Sequence, residues 1–245
     1  ISEKCLMTTA LAIETSTAAC SVALSFRGRM TRRSSEEPRS HTRLVISMVD
    51  EVLAEAGVEL NQLDVIGTTV GPGSFTGLRI GFAVVQGLAF GLDIPVIPMS
   101  TLHVMVASYS RLARDSSNGE PSSERIIMPL IDARMDEFNC GCYGVNDLGF
   151  MTPLITDQLL SRSNALVLIE EHKPEVIIGE GHMLFLDEME SSTPLVAIYP
   201  DAQDLLYLTM EEFQCGMAVP VDSVDLVYLR GTEAWQKRKR LRDSL

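Results

Sequence analysis

The sequence predicts an α/β protein built from two copies of one unit. Short apolar segments with strand-like alternation are followed by longer segments with helical spacing, and their order, βββαβαβα, occurs twice along the 245 residues. The polar stretch RDSSNGEPSSE (114–124) lies between the copies and is typical of an exposed connection. Two copies of one α/β unit account for this order more simply than one irregular domain.

The first copy begins with three predicted strands, at 10–16, 21–26 and about 29–34. A helix follows, with Ser40 as its N-cap and Gly57 as its stop. Its apolar residues recur at helical spacing, at Leu44, Val45, Met48, Val49, Val52 and Leu53. The remaining elements are a strand at 65–70, a helix after the segment GPGSFTGLRIG (71–81), a strand at 94–97 and a helix capped by Ser100.

The second copy repeats this order. Three strands are predicted at 125–131, 138–144 and 150–155, before a helix near 161–172. The copy ends with a strand at 175–179, a short helix at 182–190, a strand at 195–199 and a helix that begins near Asp201.

Charge and hydropathy limit the classes of function. The formal charge of −13 disfavours contact between the body of the protein and a nucleic acid. The ending WQKRKRLRDSL differs, because it has five basic residues and one acidic residue. The simpler interpretation is a solvated helix end, and the alternative is a minor RNA contact through residues 237–242. We expect no membrane-spanning segment and, from the absence of a secretion-signal pattern, a cytoplasmic protein.

The glycine-rich segment GPGSFTGLRIG raises the question of a phosphate site. Glycines before a helix bind anions through free N–H groups, but no lysine follows at the spacing of a nucleotide P-loop. The helix after it has apolar residues on every side, which predicts burial on every side. Two structures could bury the outer side of this helix. One is a subunit interface, which we favour, and the other is the second domain of the same chain or its C-terminal segment.

Several motifs together carry a resemblance to a known family. The strings LAIETSTAACSVAL, SHTR, GPGSFTGLRIG and VYLR resemble the TsaB (YeaZ) family, whose members are required to make threonylcarbamoyladenosine in bacterial transfer RNA. The resemblance implies two actin-like (RNase H-like, ASKHA) domains: residues 7–113 with a returning segment 225–245, and a smaller domain 114–224. It also implies a scaffold subunit that binds the catalytic subunit TsaD, acts with the ATPase TsaE, dimerises in isolation, contacts transfer RNA mainly through partners and carries no cofactor.

The resemblance places the partner-binding surface on the first two helices. The residues expected there are His41, Leu44, Val45, Met48, Val52, Phe75, Leu78, Arg79, Phe82, Val85, Gln86 and Ala89. TsaD binds metal through two histidines four residues apart on the first helix; here Val45 follows His41 at that spacing, so no metal site is expected. His41 is then expected to be a surface or interface residue.

A degenerate nucleotide cleft is the second expected site. Actin-like ATPases carry Asp-x-Gly-Thr in the first hairpin, where this chain has Glu14, Thr15, Ser16 and Thr17, and the second-unit turn has Asp132, Ala133 and Arg134 without glycine. Gly179 and Gly181 fit either an adenine site or a plain turn. We therefore expect no catalytic residue; the alternative is a small ATPase or phosphotransferase that uses Glu14 and Asp132 across the cleft.

Overall fold

Both predicted units are present in the structure, a computed structural model that describes residues 7–37, 41–116, 125–146, 148–185 and 192–230. The elements of the first unit are β1 (Ala10–Glu14), β2 (Cys20–Phe26), β3 (Arg29–Ser35), α1 (His41–Ala56), β4 (Val65–Gly71), α2 (Phe75–Leu92), β5 (Val96–Ser100) and α3 (Thr101–Ser116). Those of the second are β6 (Arg125–Asp132), β7 (Glu137–Val145), β8 (Met151–Ser161), α4 (Arg162–His172), β9 (Val176–Gly179), β10 (Leu195–Val196) and α5 (Ala202–Gln214).

The two sheets have the same topology. The first has the order β3-β2-β1-β4-β5 and the second β8-β7-β6-β9-β10. In each sheet the first three strands pair antiparallel, and the last two run parallel to the strand that begins the unit. The repeat confirms the two tandem α/β units that the sequence predicts.

The second unit is less regular than the sequence predicts. Where a helix was expected at 182–190, the described part is a single 3₁₀ turn, Gly181–Met183, and residues 186–190 lie outside the described residues. The strand expected at 195–199 is only two residues long. Ser40, the predicted cap of α1, and residues 117–124 of the predicted connection also lie outside the described residues.

Helices α3 and α5 join the two units. Helix α5 follows the last strand of the second sheet but packs its buried Leu205, Leu206 and Met210 on the first sheet. Helix α3 lies between the sheets and packs mainly on the second. Where the two helices meet, the Arg111 guanidinium donates to both oxygens of Asp204, at 2.8 and 3.0 Å. The division into 7–113 and 114–224 stays a prediction.

The chain after α5 runs back along the first unit. Val219 and Val96 exchange backbone hydrogen bonds of 2.9 Å, and the N–H of Val227 donates to the carbonyl of Val70 at 2.7 Å. Val221, Val224 and Leu226 pack on the core of the first sheet between these two points. The rest of the predicted returning segment, residues 231–245 with the basic ending, lies outside the described residues.

Helix α2 corrects one expectation from the sequence. By length and composition this eighteen-residue helix is apolar enough to cross a membrane, whereas no segment was expected to qualify. A helix in the core of a globular protein passes the same test, so the finding is weak evidence for a membrane span.

Candidate functional site

The glycine-rich loop joins β4 and α2 to the β1–β2 hairpin. Ser74 caps α2 by accepting from the N–H of Gly77 at 3.2 Å, and its own N–H donates to the carbonyl of Ser16 at 2.7 Å. A Cβ atom at Gly77 would overlap the carbonyl oxygen of Thr15, and one at Gly73 that of Ser16. These glycines therefore let the backbone of the same chain approach closely.

Glu14 ends β1 in a fully buried position behind this loop. Its Oε1 accepts from the N–H and the hydroxyl of Ser16. Burial raises the pKa of Glu14 from 4.5 to about 7, although the bonds from Ser16 lower it. Because the N–H of Ser16 is occupied by Glu14, the hairpin does not offer that donor to a phosphate.

A Glu14→Gln variant tests this burial. Since the pKa of Glu14 is raised in the folded protein, the unfolded chain ionises first as pH increases, and the free energy of unfolding should fall between about pH 5 and 7. One group contributes a slope of up to about 1.4 kcal/mol per pH unit. The variant should lose this component in urea unfolding at several pH values; an unchanged slope would show that Glu14 is ionised in the fold.

The turn after β6 is also satisfied internally. The backbone N–H and the guanidinium of Arg134 donate to the two oxygens of Asp132, at 2.8 and 3.0 Å. The N–H of Asp132 donates to Glu180, and that of Ala133 to the carbonyl of Glu137. Arg134, Met135 and Asp136 all have positive φ, which non-glycine residues rarely adopt. The backbone N–H groups of Asp132, Ala133 and Arg134 are therefore already bonded within the chain.

A cleft of about 1130 Å³ separates the two units. Residues from both hairpin turns, the glycine-rich loop and the C-terminal segment form its walls, among them Ser16, Thr17, His41, Gly73, Ser74, Asp132, Arg134, Gly179, Glu180 and Arg230. Glu14 is not one of them. The structure therefore does not place the carboxylates of Glu14 and Asp132 facing each other, as the ATPase alternative requires.

The two glycines after β9 have a packing explanation. Gly179 has a φ of 92°, and a Cβ there would overlap the carbonyl oxygen of Leu130. A Cβ at Gly181 would come within 2.8 Å of the Ile177 side chain. Both positions require glycine without any ligand, which agrees with the plain-turn interpretation.

His41 is not the surface residue that the sequence suggested. It is buried at the start of α1, with Nε2 3.0 Å from the carbonyl oxygen of Thr17 and 3.1 Å from that of Ala19. Since both contacts are acceptors, Nε2 carries the proton. The imidazole thus ties α1 to the β1–β2 hairpin. Among the described residues, no three His, Cys, Asp or Glu side chains are grouped as a metal would require.

Residues 227–230, here called the strap, line the cleft. At one end Val227 is bound to β4, and at the other the Arg230 guanidinium donates to the carbonyls of Ala133 and Arg134, at 3.1 and 2.9 Å, and to Glu137. Between them, the ring of Tyr228 lies 5.2 Å from that of Phe75 at the start of α2. The strap therefore connects both units with α2.

An Arg230→Ala variant should loosen the β6–β7 turn, because the Arg230 guanidinium donates hydrogen bonds to the carbonyls of Ala133 and Arg134 in that turn. We expect amide hydrogen exchange of Ala133 and Glu137 to become about tenfold faster, the effect of losing a charge-assisted hydrogen bond. Arg230→Lys, which keeps the charge but not the forked geometry, should have an intermediate effect. Exchange rates equal to those of the unchanged protein would contradict this role.

One face of α2 is open to solvent. The helix packs on the first sheet through Leu78, Phe82, Val85 and Ala89, so burial on every side, as the composition suggested, is not observed within the chain. The opposite face, here called the open face, consists of Phe75, Arg79, Ala83, Gln86 and Phe90. Phe90 is 83% exposed and Phe75 53%.

A groove of about 420 Å³ runs between α1 and this face of α2. Its floor and walls are almost entirely apolar: the lining residues are Thr42, Val45, Ile46, Phe75, Thr76, Arg79, Ile80, Ala83 and Val84. Ile46, on the neighbouring surface of α1, is 57% exposed. Large apolar side chains exposed together in this way mark an interaction surface more often than isolated ones.

The structure separates the twelve expected partner-binding residues into two groups. Leu44 is half-buried, and Phe75, Arg79 and Gln86 are exposed. The others are buried, and among them only Val45 reaches the lining of the groove: His41, Val45, Met48, Val52, Leu78, Phe82, Val85 and Ala89. Ala83 and Phe90 are exposed on α2 but were not among the expected residues, because periodicity alone did not show which face of an apolar helix points outward. Ile46 on α1 and Tyr228 of the C-terminal segment are also exposed and were not expected at a site.

Comparison with known proteins identifies the family. A Haemophilus influenzae protein named tRNA threonylcarbamoyladenosine biosynthesis protein TsaB is 33% identical over 237 residues, which cover 94% of this chain and 96% of the relative. The chain belongs to the TsaB family. The TsaB protein of Escherichia coli is likewise 33% identical, over 93% of the chain and 96% of its own length.

A solved TsaB-family structure supports the fold. YeaZ from Pseudomonas aeruginosa superimposes with a TM-score of 0.77 at 34% identity, covering 91% of this chain and all of that one. Residues 35–153 also match the family model of TsaD, tRNA N6-adenosine threonylcarbamoyltransferase. The matched range contains α1, α2 and α3 of this chain.

Proposed function

We propose that this chain is a non-catalytic subunit in the biosynthesis of threonylcarbamoyladenosine in transfer RNA, and that it binds a TsaD-family protein through the groove and the open face of α2. The pathway comes from the names of the relatives that span nearly the whole chain. The observation that carries the role is the exposed apolar surface formed by Ile46, Phe75 and Phe90 beside the groove. Ile46 and Phe90 do not line the cleft, where an actin-like enzyme would bind nucleotide.

The TsaD match explains why such a surface would fit that partner. Two chains with the same α1–α2 arrangement can pair through equivalent faces, as two copies of one chain do in an isologous dimer. A homodimer and a TsaD heterodimer would then use one surface and exclude each other. The ATPase TsaE would join the assembly through surfaces other than this one. Most contacts to transfer RNA would be made by the partner subunits.

The state of the cleft supports the absence of catalysis. Glu14 is buried, Asp132 is held by Arg134, and the N–H groups of Ser16, Asp132 and Ala133 are already bonded within the chain. The second candidate function, an ATPase or phosphotransferase, would need these groups released. A nucleotide turnover by the pure chain that Asp132→Asn abolishes would support it.

Light scattering of the chain, alone and mixed with the TsaD-family protein of the same organism, tests the proposal. We expect a homodimer in isolation that converts to a one-to-one heterodimer as the partner is added. A chain that stays the same size at every partner concentration would contradict the scaffold role. A complex in which one copy of the chain binds a second copy and the TsaD-family protein at the same time, through the open face, would contradict the mutual exclusion of homodimer and heterodimer.

A further inference from the structure

Arg79 lies at the place where the groove meets the cleft, and it lines both. Its guanidinium carbon is 3.4 Å from the centre of the Phe75 ring and 5.5 Å from that of Tyr228. A cation stacked on aromatic faces is held in one orientation without using its N–H groups. The strap thus contributes, through Tyr228, to fixing a side chain of the open face.

The charge of Arg79 has no counterion in the described part of the chain, where its recorded contacts are the two aromatic rings. By contrast, Arg33, Arg111 and Arg162 each form ion pairs with acidic side chains of the same chain. Arg79 is also the single charged residue among those that line the groove. A partner that covers the groove would remove this guanidinium from water, which is costly unless it meets an acceptor.

We infer that Arg79, stacked on Phe75 and Tyr228, binds a carboxylate of the docking partner. A planar guanidinium with free N–H groups matches a carboxylate through two parallel hydrogen bonds. The site thereby adds a specific charged contact to an otherwise apolar groove, so that apolar surfaces without an acidic residue at this point are rejected. The inference rests on the proposed function, since it assumes that a protein covers the groove.

A phosphate of RNA would fit one guanidinium equally well, but the surroundings favour a protein. Affinity for nucleic acid comes from several cations that neutralise successive phosphates, and the groove supplies one. The chain as a whole carries a formal charge of −13, which repels a polyanion. Ile46, Ile80 and Ala83 beside Arg79 instead match the apolar part of a protein interface.

The test compares Arg79→Gln, Arg79→Glu and the control Arg29→Gln, which removes an exposed arginine of β3 outside the groove. The measurement is the dissociation constant with the TsaD-family protein, by calorimetry, with melting temperatures to confirm folding. Arg79→Gln should weaken binding about 30-fold, as expected when one partner of a buried charge pair is lost, and Arg29→Gln less than threefold. Arg79→Glu should weaken it further, and replacing one exposed acidic residue of the partner with lysine should restore it.

The outcomes separate this inference from the proposed function. If Phe90→Glu disrupts the complex while Arg79→Gln and Arg79→Glu bind as well as the unchanged chain, the docking surface stands and the carboxylate site is wrong. If none of these variants changes the affinity, both are wrong. If Arg79→Gln lowers only the affinity for transfer RNA, measured with the chain alone, the ligand is a phosphate and the inference is overturned.

Discussion

A Phe90→Glu variant is expected to bind the TsaD-family partner at least about 100-fold more weakly than the unchanged chain, and to remain folded. Phe90 is 83% exposed, so a carboxylate there meets water in the free chain and disturbs no internal contact. In the complex the same carboxylate would be buried against an apolar surface, which costs several kcal/mol, and the aromatic anchor would be lost as well. Adding Ile46→Glu, across the groove, should remove detectable binding.

Leu148→Glu provides the matched control. Leu148 is 78% exposed in the β7–β8 turn of the second unit, away from the groove, so the substitution has the same chemistry at a different place. We expect it to leave the dissociation constant within threefold. Titration calorimetry measures all three, and the Phe90→Glu and double variants, but not Leu148→Glu, should lose the homodimer in light scattering. Normal binding by the Phe90→Glu, Ile46→Glu double variant would place the interface elsewhere.

The order of elements could be predicted because it depends on local patterns. Alternation in ALAIE and SVALSF, and helical spacing from Val45 to Leu53, each report which residues face a core, and the repeat of the pattern reported two units. The packing of α5 on the first sheet could not be predicted from such local patterns. An amphipathic helix shows that one face is buried, but not which sheet buries it.

The candidate site was harder for the same reason. The helix after GPGSFTGLRIG is apolar on all sides, so its pattern gives no direction, and the buried Phe82 and Val85 were expected at an interface. Gly77 and Gly81 carried the missing signal: positions without a side chain mark where another backbone or side chain comes close, here Thr15. The face opposite to them is the open one. Glu14 shows a second limit of the sequence analysis. A carboxylate at the end of a strand can be an exposed cleft residue or a buried one, and the sequence does not distinguish the two.

Gly77 also gives the prediction with the largest expected effect on stability. In a helix, alanine is normally about 1 kcal/mol better than glycine, so Gly→Ala should stabilise wherever there is room. A Cβ at Gly77 would overlap the carbonyl oxygen of Thr15, which belongs to the hairpin and cannot rotate away. Gly77→Ala should therefore lower the free energy of unfolding by about 3 kcal/mol or more, the cost of overpacking against backbone.

Gly87, on the same helix, is the matched control, because a Cβ there would have no atom within 4 Å. Gly87→Ala should raise the free energy of unfolding by about 0.5 to 1 kcal/mol. Urea unfolding of the two variants thus has opposite expected signs for the same substitution in one helix. If both alanines stabilise the chain, Thr15 and α2 do not contact each other in solution as they do in the structure, and the close approach that explains this glycine-rich loop is wrong. If both destabilise it, the helix itself needs glycine, for a reason other than the contact with the hairpin.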